Sequence, residues 1–280
     1  MRVPQDECRH FPHIHLLIKR VVSQFINAIN HCNKLAIKQP TTAELEDLAI
    51  QTTQKSSCDA SFHGCVLMVD GFLSTRNKPG DNECSTPADF YSGHKKTHGL
   101  NVQALCDHSL RFRYVCVAAP GKTNDNKAFD RCTGLQEWLS TLPSAYFIVG
   151  DNAYPLSTKV LTPFKGRQKE DMYNSSYNFY LSQLRIRVEM AFGRMTTKFR
   201  IMRTKMTCSL AMQSMVIGAV TRLHNFVINI DGVAIADQPI RLGPSDGLEE
   251  SDLDRLGIEP LATDVEGNLR FSSVPYDSDE

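Results

Sequence analysis

The stretch Tyr146-Phe147-Ile148-Val149-Gly150-Asp151-Asn152-Ala153-Tyr154-Pro155 constrains this chain most. Its apolar run, 146–149, predicts a short buried strand. Gly150 ends that strand and leaves Asp151 at its carboxyl edge, where sheets with α/β crossovers place their ligands. Two further carboxylates have settings from which they can meet Asp151. Asp70 follows the strand-like Cys65-Val66-Leu67-Met68-Val69 and precedes Gly71, and Glu189 sits in a helical segment over 181–202. A carboxylate after one strand, another after a later strand and a third on the following helix are the parts of a divalent-metal site. Each has a plainer reading as well. Asp70-Gly71 is a common turn pair, Gly150-Asp151 an ordinary strand exit, and Glu189 a suitable i, i+4 ion-pair partner for Arg185.

The helical pattern around Glu189 is informative. At 100° per residue, Leu181, Leu184, Val188, Ala191, Phe192, Met195, Phe199 and Met202 form one apolar stripe. Glu189 falls roughly 110° from its centre, so it flanks the buried face and can lean over a sheet edge. Arg187, Arg194 and Lys198 fall on the other flank, where they could hold a phosphate backbone.

The rest of the chain predicts an α/β domain between two different ends. Residues 1–60 read as a helical extension, with one helix over 15–29 and a second after Pro40 capped by Thr42. No helix rich in Arg, Asn and Gln marks a helix-turn-helix reader. A first strand over 62–72 is followed by a polar loop from Ser74. A hairpin of 100–106 and 112–118 turns at Asp107-His108-Ser109. A helix of 126–139 leads to the strand at 146–149. A loop-like stretch follows, then long helices over 179–202 and 209–230. This order suggests a mixed sheet of five strands or fewer, and it is compatible with the ribonuclease-H-like arrangement. His224 in the last helix reads as a core hydrogen-bonding residue.

Charge separates the two ends. The 280 residues carry no formal net charge, yet residues 231–280 hold 13 acids and 3 bases. The remainder is therefore a basic body, suited to a polyanion such as nucleic acid, with an acidic tail expected to lack fixed structure. The nine cysteines form no CxxC pair, and those in apolar runs read as reduced core residues. Cys8, His10, His13 and His15 are zinc-compatible types, but no second cluster closes a site. No signal peptide is recognisable, and Arg222, His224, Asn225 and Asn229 interrupt the longest apolar stretch. An intracellular protein without a membrane span is expected.

Several blocks together resemble a known family. They are Met68-Val69-Asp70-Gly71, the segment from Tyr91-Ser92-Gly93-His94-Lys95-Lys96-Thr97-His98 to Gln103, Pro120-Gly121 with Asp125, Gly150-Asp151-Asn152-Ala153-Tyr154, Thr162-Pro163-Phe164 and Arg187-Val188-Glu189-Met190-Ala191-Phe192-Gly193-Arg194. With Leu223-His224-Asn225-Phe226 they resemble, in order over about 62–228, the PIF/Harbinger-type DDE transposases and their domesticated nuclease relatives.

The resemblance implies a ribonuclease-H-like catalytic domain at 61–230, with Asp70, Asp151 and Glu189 as catalytic and metal-binding residues. It implies Mg²⁺ or Mn²⁺ in a two-metal site, cleavage of DNA and, in active members, joining of the freed 3′ ends to a target. It further implies a nuclear location, with the cytoplasm also open, a Myb-like DNA-binding partner and self-association. Asp125 matches a recurrent family acid or caps the helix that follows it. Lys95, Lys96 and His98 fit the family's basic entry to the hairpin. A non-catalytic remnant that binds DNA or protein is the alternative expectation.

Overall fold

The computed structural model describes residues 12–57 and 62–231. The acidic segment beyond Asp231 and the possible zinc-type residues Cys8 and His10 lie outside them. So do the side chains of His13 and His15. In order, the elements are α1 (Pro12–His31), α2 (Leu45–Thr53), β1 (Cys65–Arg76), β2 (Tyr91–Ser92), β3 (Thr97–Cys106) and β4 (Phe112–Pro120). Then follow α3 (Asp125–Asp130), α4 (Thr133–Thr141), β5 (Phe147–Val149), β6 (Val160–Leu161), α5 (Met172–Lys198) and α6 (Leu210–Asp231).

The sheet has six strands rather than five or fewer, because two-residue pieces join both of its edges. Tyr91-Ser92 pairs with His98 and Thr97, and Val160-Leu161 pairs in parallel with β5. Antiparallel β3 lies between β1 and β4, while β5 runs parallel to β1 on its other side. The sheet is thus mixed, with helices on both faces.

Strand alternation sorts the two cores. Met68, Val102, Ala104 and Val149 face Leu181, Leu184, Val188, Phe192 and Met195 of α5, with Val216, Ile217 and Val220 of α6. Leu67, Val69, Leu105 and Ile148 face α2 and the α3–α4 pair through Leu45, Leu48, Phe129, Leu135 and Leu139. Leu184 is fully buried. Leu184→Ala is therefore expected to cost about 2–5 kcal/mol of stability, measured by denaturant unfolding.

Local chemistry explains where the element ends depart from the sequence pattern. β1 continues through Asp70-Gly71 to Arg76, because β3 pairs with it up to Arg76↔His98. Asp70-Gly71 is therefore mid-strand and not a turn. The helix after Pro40 is capped by Thr41, not Thr42, through a reciprocal box with Glu44. The segment expected as one helix over 126–139 divides into α3 and α4 around Arg131-Cys132. α5 begins at Met172, well before 179, because Asp171 accepts from the N–H groups of Tyr173 and Asn174 at 3.0 and 3.1 Å. It ends at Lys198. Phe199 leaves helical geometry, and Met202 is buried from a 3₁₀ turn over Arg200–Arg203.

The hairpin turn expected at Asp107 is held by that carboxylate. It accepts from Ser109 N–H and Oγ–H and from Arg111 N–H at 2.7–3.1 Å. His224 is buried, and its Nε2 lies 2.8 Å from the Leu110 carbonyl, as a core residue. Burial lowers its pKa to about 4. The cysteines at 65, 106 and 132 are buried and free. α1 packs on α6, where Asn30 donates to the Met215 carbonyl at 2.9 Å. Among the described residues no helix is long and apolar enough to cross a membrane.

Candidate active site

Backbone register brings the first two acids together. β5 pairs in parallel with β1 up to Met68↔Val149. Two residues further along each strand stand Asp70 and Asp151, at the carboxyl edge of that pair. Asp70 shares the sheet face of Met68, against which α5 packs, so Glu189 is on the layer above it.

The electrostatics agree with this placement. Burial raises the pKa of Asp70 to about 8, and the negative charges of Glu189 and Asp151 push in the same direction. The Arg185 guanidinium and the Gly71 N–H, which donates to Asp70 at 2.8 Å, pull the other way. A little of Asp70 remains open to solvent, but desolvation is the largest influence on its carboxyl group.

Each acid already has a hydrogen-bonding partner. Asp151 accepts from Ala153 N–H at 2.8 Å. Glu189 Oε1 receives Arg185 Nη2 at 3.2 Å, which is the i, i+4 pair that the helix spacing allows. Among the described residues, no three His, Cys, Asp or Glu side chains are arranged to hold a metal ion together. The donor set nonetheless fits a hard cation chemically. Its donor atoms are all carboxylate oxygens, and Arg185 offsets the charge of the three acids only in part.

A second polar group supports the site from the opposite sheet face. Gly71 pairs with Gln103 across β1 and β3. The Asp125 carboxylate accepts from Asn101 Nδ2 and from Gln103 Nε2, each at 3.0 Å. The Tyr154 hydroxyl donates to Gln103 Oε1 at 2.6 Å. Burial, and then the charges of Asp70, Asp125 and Asp151, raise the Tyr154 pKa well above its ordinary value. A Cβ on Gly71 would overlap the Asp125 carboxylate oxygen, so glycine is needed there for close approach. Asp125 does not cap α3. Asn124 does, accepting from Lys127 N–H at 3.1 Å.

Asn101, Gln103 and Tyr154 were not singled out as site residues by the sequence pattern. The visible signal was a pair of amides at i, i+2 in an otherwise apolar strand. The basic flank also differs from its helical projection. Arg187 lies near Cys106 and His108, and Arg194 near His224, so both are half-buried against the domain. Lys198 is exposed, as are Lys95 and Lys96 beside the entry to β3.

A family model described as DDE superfamily endonuclease matches residues 69–225, more than half of the chain. The chain is 26% identical over 160 residues to Protein ALP1-like from Arabidopsis thaliana. That match covers 52% of this chain and 39% of the relative's length. No solved structure gives a significant match.

Proposed function

The chain belongs to the DDE superfamily endonuclease family, and from that premise we propose a divalent-metal-dependent DNA endonuclease of the PIF/Harbinger transposase type. Asp70, Asp151 and Glu189 are its catalytic, metal-binding carboxylates, carried on a ribonuclease-H-like domain at 61–230. The observation that carries this reading is the half-buried, desolvated Asp70, standing by register beside Asp151 and within electrostatic reach of Glu189. The strand order, with three antiparallel strands followed by two parallel ones, supports the ribonuclease-H-like reading.

Mg²⁺ or Mn²⁺ bound in pairs at such a site supplies activation of a water or 3′-hydroxyl and stabilisation of the leaving oxygen at phosphorus. The chain's own residues set the frame. The Gly71 and Ala153 N–H groups orient the two aspartates, and Gln103, Asn101 and Asp125 brace β1 and β3 from behind. Basic residues such as Lys95, Lys96 and Lys198 offer contacts to the DNA backbone. A nuclear location, a Myb-like DNA-binding partner and self-association belong to the same proposal.

A second reading is a remnant without catalysis that binds DNA or protein through its basic body. The closed Arg185–Glu189 pair favours it. Plasmid nicking with Mg²⁺ or Mn²⁺ separates the two. Wild type is expected to cut and Asp151→Ala to be inert. Equal DNA binding without cleavage by either protein establishes the remnant. Cleavage of RNA–DNA hybrids with duplex DNA left intact assigns a ribonuclease instead.

A further inference from the structure

We propose that Arg185 is a built-in counter-ion of the carboxylate cluster, which a divalent cation must displace from Glu189 to enter the site. This rests on the metal-dependent reading above and adds a residue that governs how tightly the cation binds.

The argument begins with charge. Three carboxylates close enough to influence one another need positive charge to remain ionised. Arg185 is the cation among the groups acting on Asp70, and it also contacts Glu189 directly. One side chain therefore offsets two of the three acids.

The geometry makes this contact reversible. It is a single Nη2–Oε1 approach at 3.2 Å and not a two-pronged fork. The Arg185 Nε–H is buried with no hydrogen-bond partner among the described residues, so the guanidinium is incompletely held. Both partners lie one turn apart on α5, and rotation of the long Arg side chain opens this contact without moving the backbone.

Burial separates this pair from an ordinary surface bridge. The Arg185 and Glu189 side chains are only 16% and 27% exposed, so water screens them incompletely. Glu189 is turned to its guanidinium, and it becomes a ligand when that contact opens.

The test is calorimetric titration of the full chain with MnCl₂, comparing wild type with Arg185→Gln, Arg185→Lys, Asp151→Asn and Glu189→Gln. Removing the charge in Arg185→Gln is expected to tighten Mn²⁺ binding about tenfold, with Arg185→Lys within about threefold of wild type. The melting temperature of Arg185→Gln should fall without metal and rise more than that of wild type when Mn²⁺ is added.

An Arg185→Gln affinity equal to or weaker than wild type overturns the counter-ion role. If that occurs while Asp151→Asn and Glu189→Gln still lose binding, the metal-dependent reading stands and only this inference fails. If wild type binds no Mn²⁺, or the acid variants bind like wild type, both fall.

Should Arg185→Gln not fold, the wild-type protein supplies the answer. With ¹⁵N-labelled arginine, the Arg185 side-chain resonance, identified by its loss in Arg185→Lys, is expected to shift as Mg²⁺ is added. An unmoved resonance at saturating Mg²⁺ overturns the proposal.

Discussion

Asp70→Asn is expected to make the metal-free protein more stable at alkaline pH while removing DNA cleavage. The stability effect follows from the raised pKa of Asp70, about 8 against an ordinary value of 3.8. The folded chain keeps the Asp70 proton up to about pH 8, whereas the unfolded chain releases it near pH 4. Proton-linked stability is therefore complete below the unfolded value and is lost as pH rises through the folded one. Above pH 8, wild type carries an ionised, desolvated carboxylate facing Glu189 and Asp151, offset only in part by Arg185 and the Gly71 N–H. Asparagine keeps the shape and removes the charge.

Allowing for residual solvation and for Arg185, the gain at pH 8.5 is on the order of 1–3 kcal/mol, a rise of several degrees in melting temperature. Near pH 4 it should vanish. Melting curves in EDTA from pH 4 to 9 check this, and parallel curves for the two proteins would refute the origin assigned to the shift. Cleavage moves the other way. Loss of a proposed metal ligand forfeits several kcal/mol of transition-state stabilisation, so the nicking rate should fall by about 10³-fold or more. The site is thus held at some cost to the stability of the metal-free fold.

The second large effect is expected at Gly71. Its missing Cβ leaves room for the Asp125 carboxylate and the Gln103 amide, which belong to a buried network reaching Tyr154. Gly71→Ala forces Asp125 off two amide donors or bends β1 beside Asp70. Either response should cost about 1–3 kcal/mol in denaturant unfolding and reduce cleavage, because the strand carrying a proposed ligand shifts. Gly93 provides a control, since a Cβ there meets nothing within 4 Å, and Gly93→Ala should be close to neutral. If the overlap with Asp125 is the cause, Asp125→Ala in the Gly71→Ala background should cost less than it does in wild type. Additive losses would show that the two positions act separately.

These expectations draw on information legible at different levels. The stripe from Leu181 to Met195 placed Glu189 on the rim of the core-facing side of α5, and burial follows that stripe. The hairpin around Asp107 and the core setting of His224 were likewise readable from alternation and turn chemistry. The blocks around Asp70, Asp151 and Glu189 pointed to a nuclease family, and the family match covers all three positions. Such features are written locally, because strand and helix periods, turn formers and short motifs depend on near neighbours.

Other features required distant parts of the chain to meet. β1 runs past the expected end at 72 because β3 accompanies it to Arg76, which also excludes the turn reading of Asp70-Gly71. Val160-Leu161 becomes a strand only by pairing with β5. Thr41 and Asn124 took the caps that spacing alone assigned to Thr42 and left open at Asp125.

The sequence by itself determined the helix faces, the hairpin, the separation of a basic body from an acidic end, and which carboxylates were candidates. Only the tertiary structure decided that Asp125 braces the sheet from behind, that Gly71 leaves space for it, and that Arg185 shares its charge between Asp70 and Glu189. The reason is physical. Periodicity fixes the direction a side chain takes from its own element, but desolvation and Coulomb forces depend on through-space neighbours, which exist only once the sheet and its helices have packed.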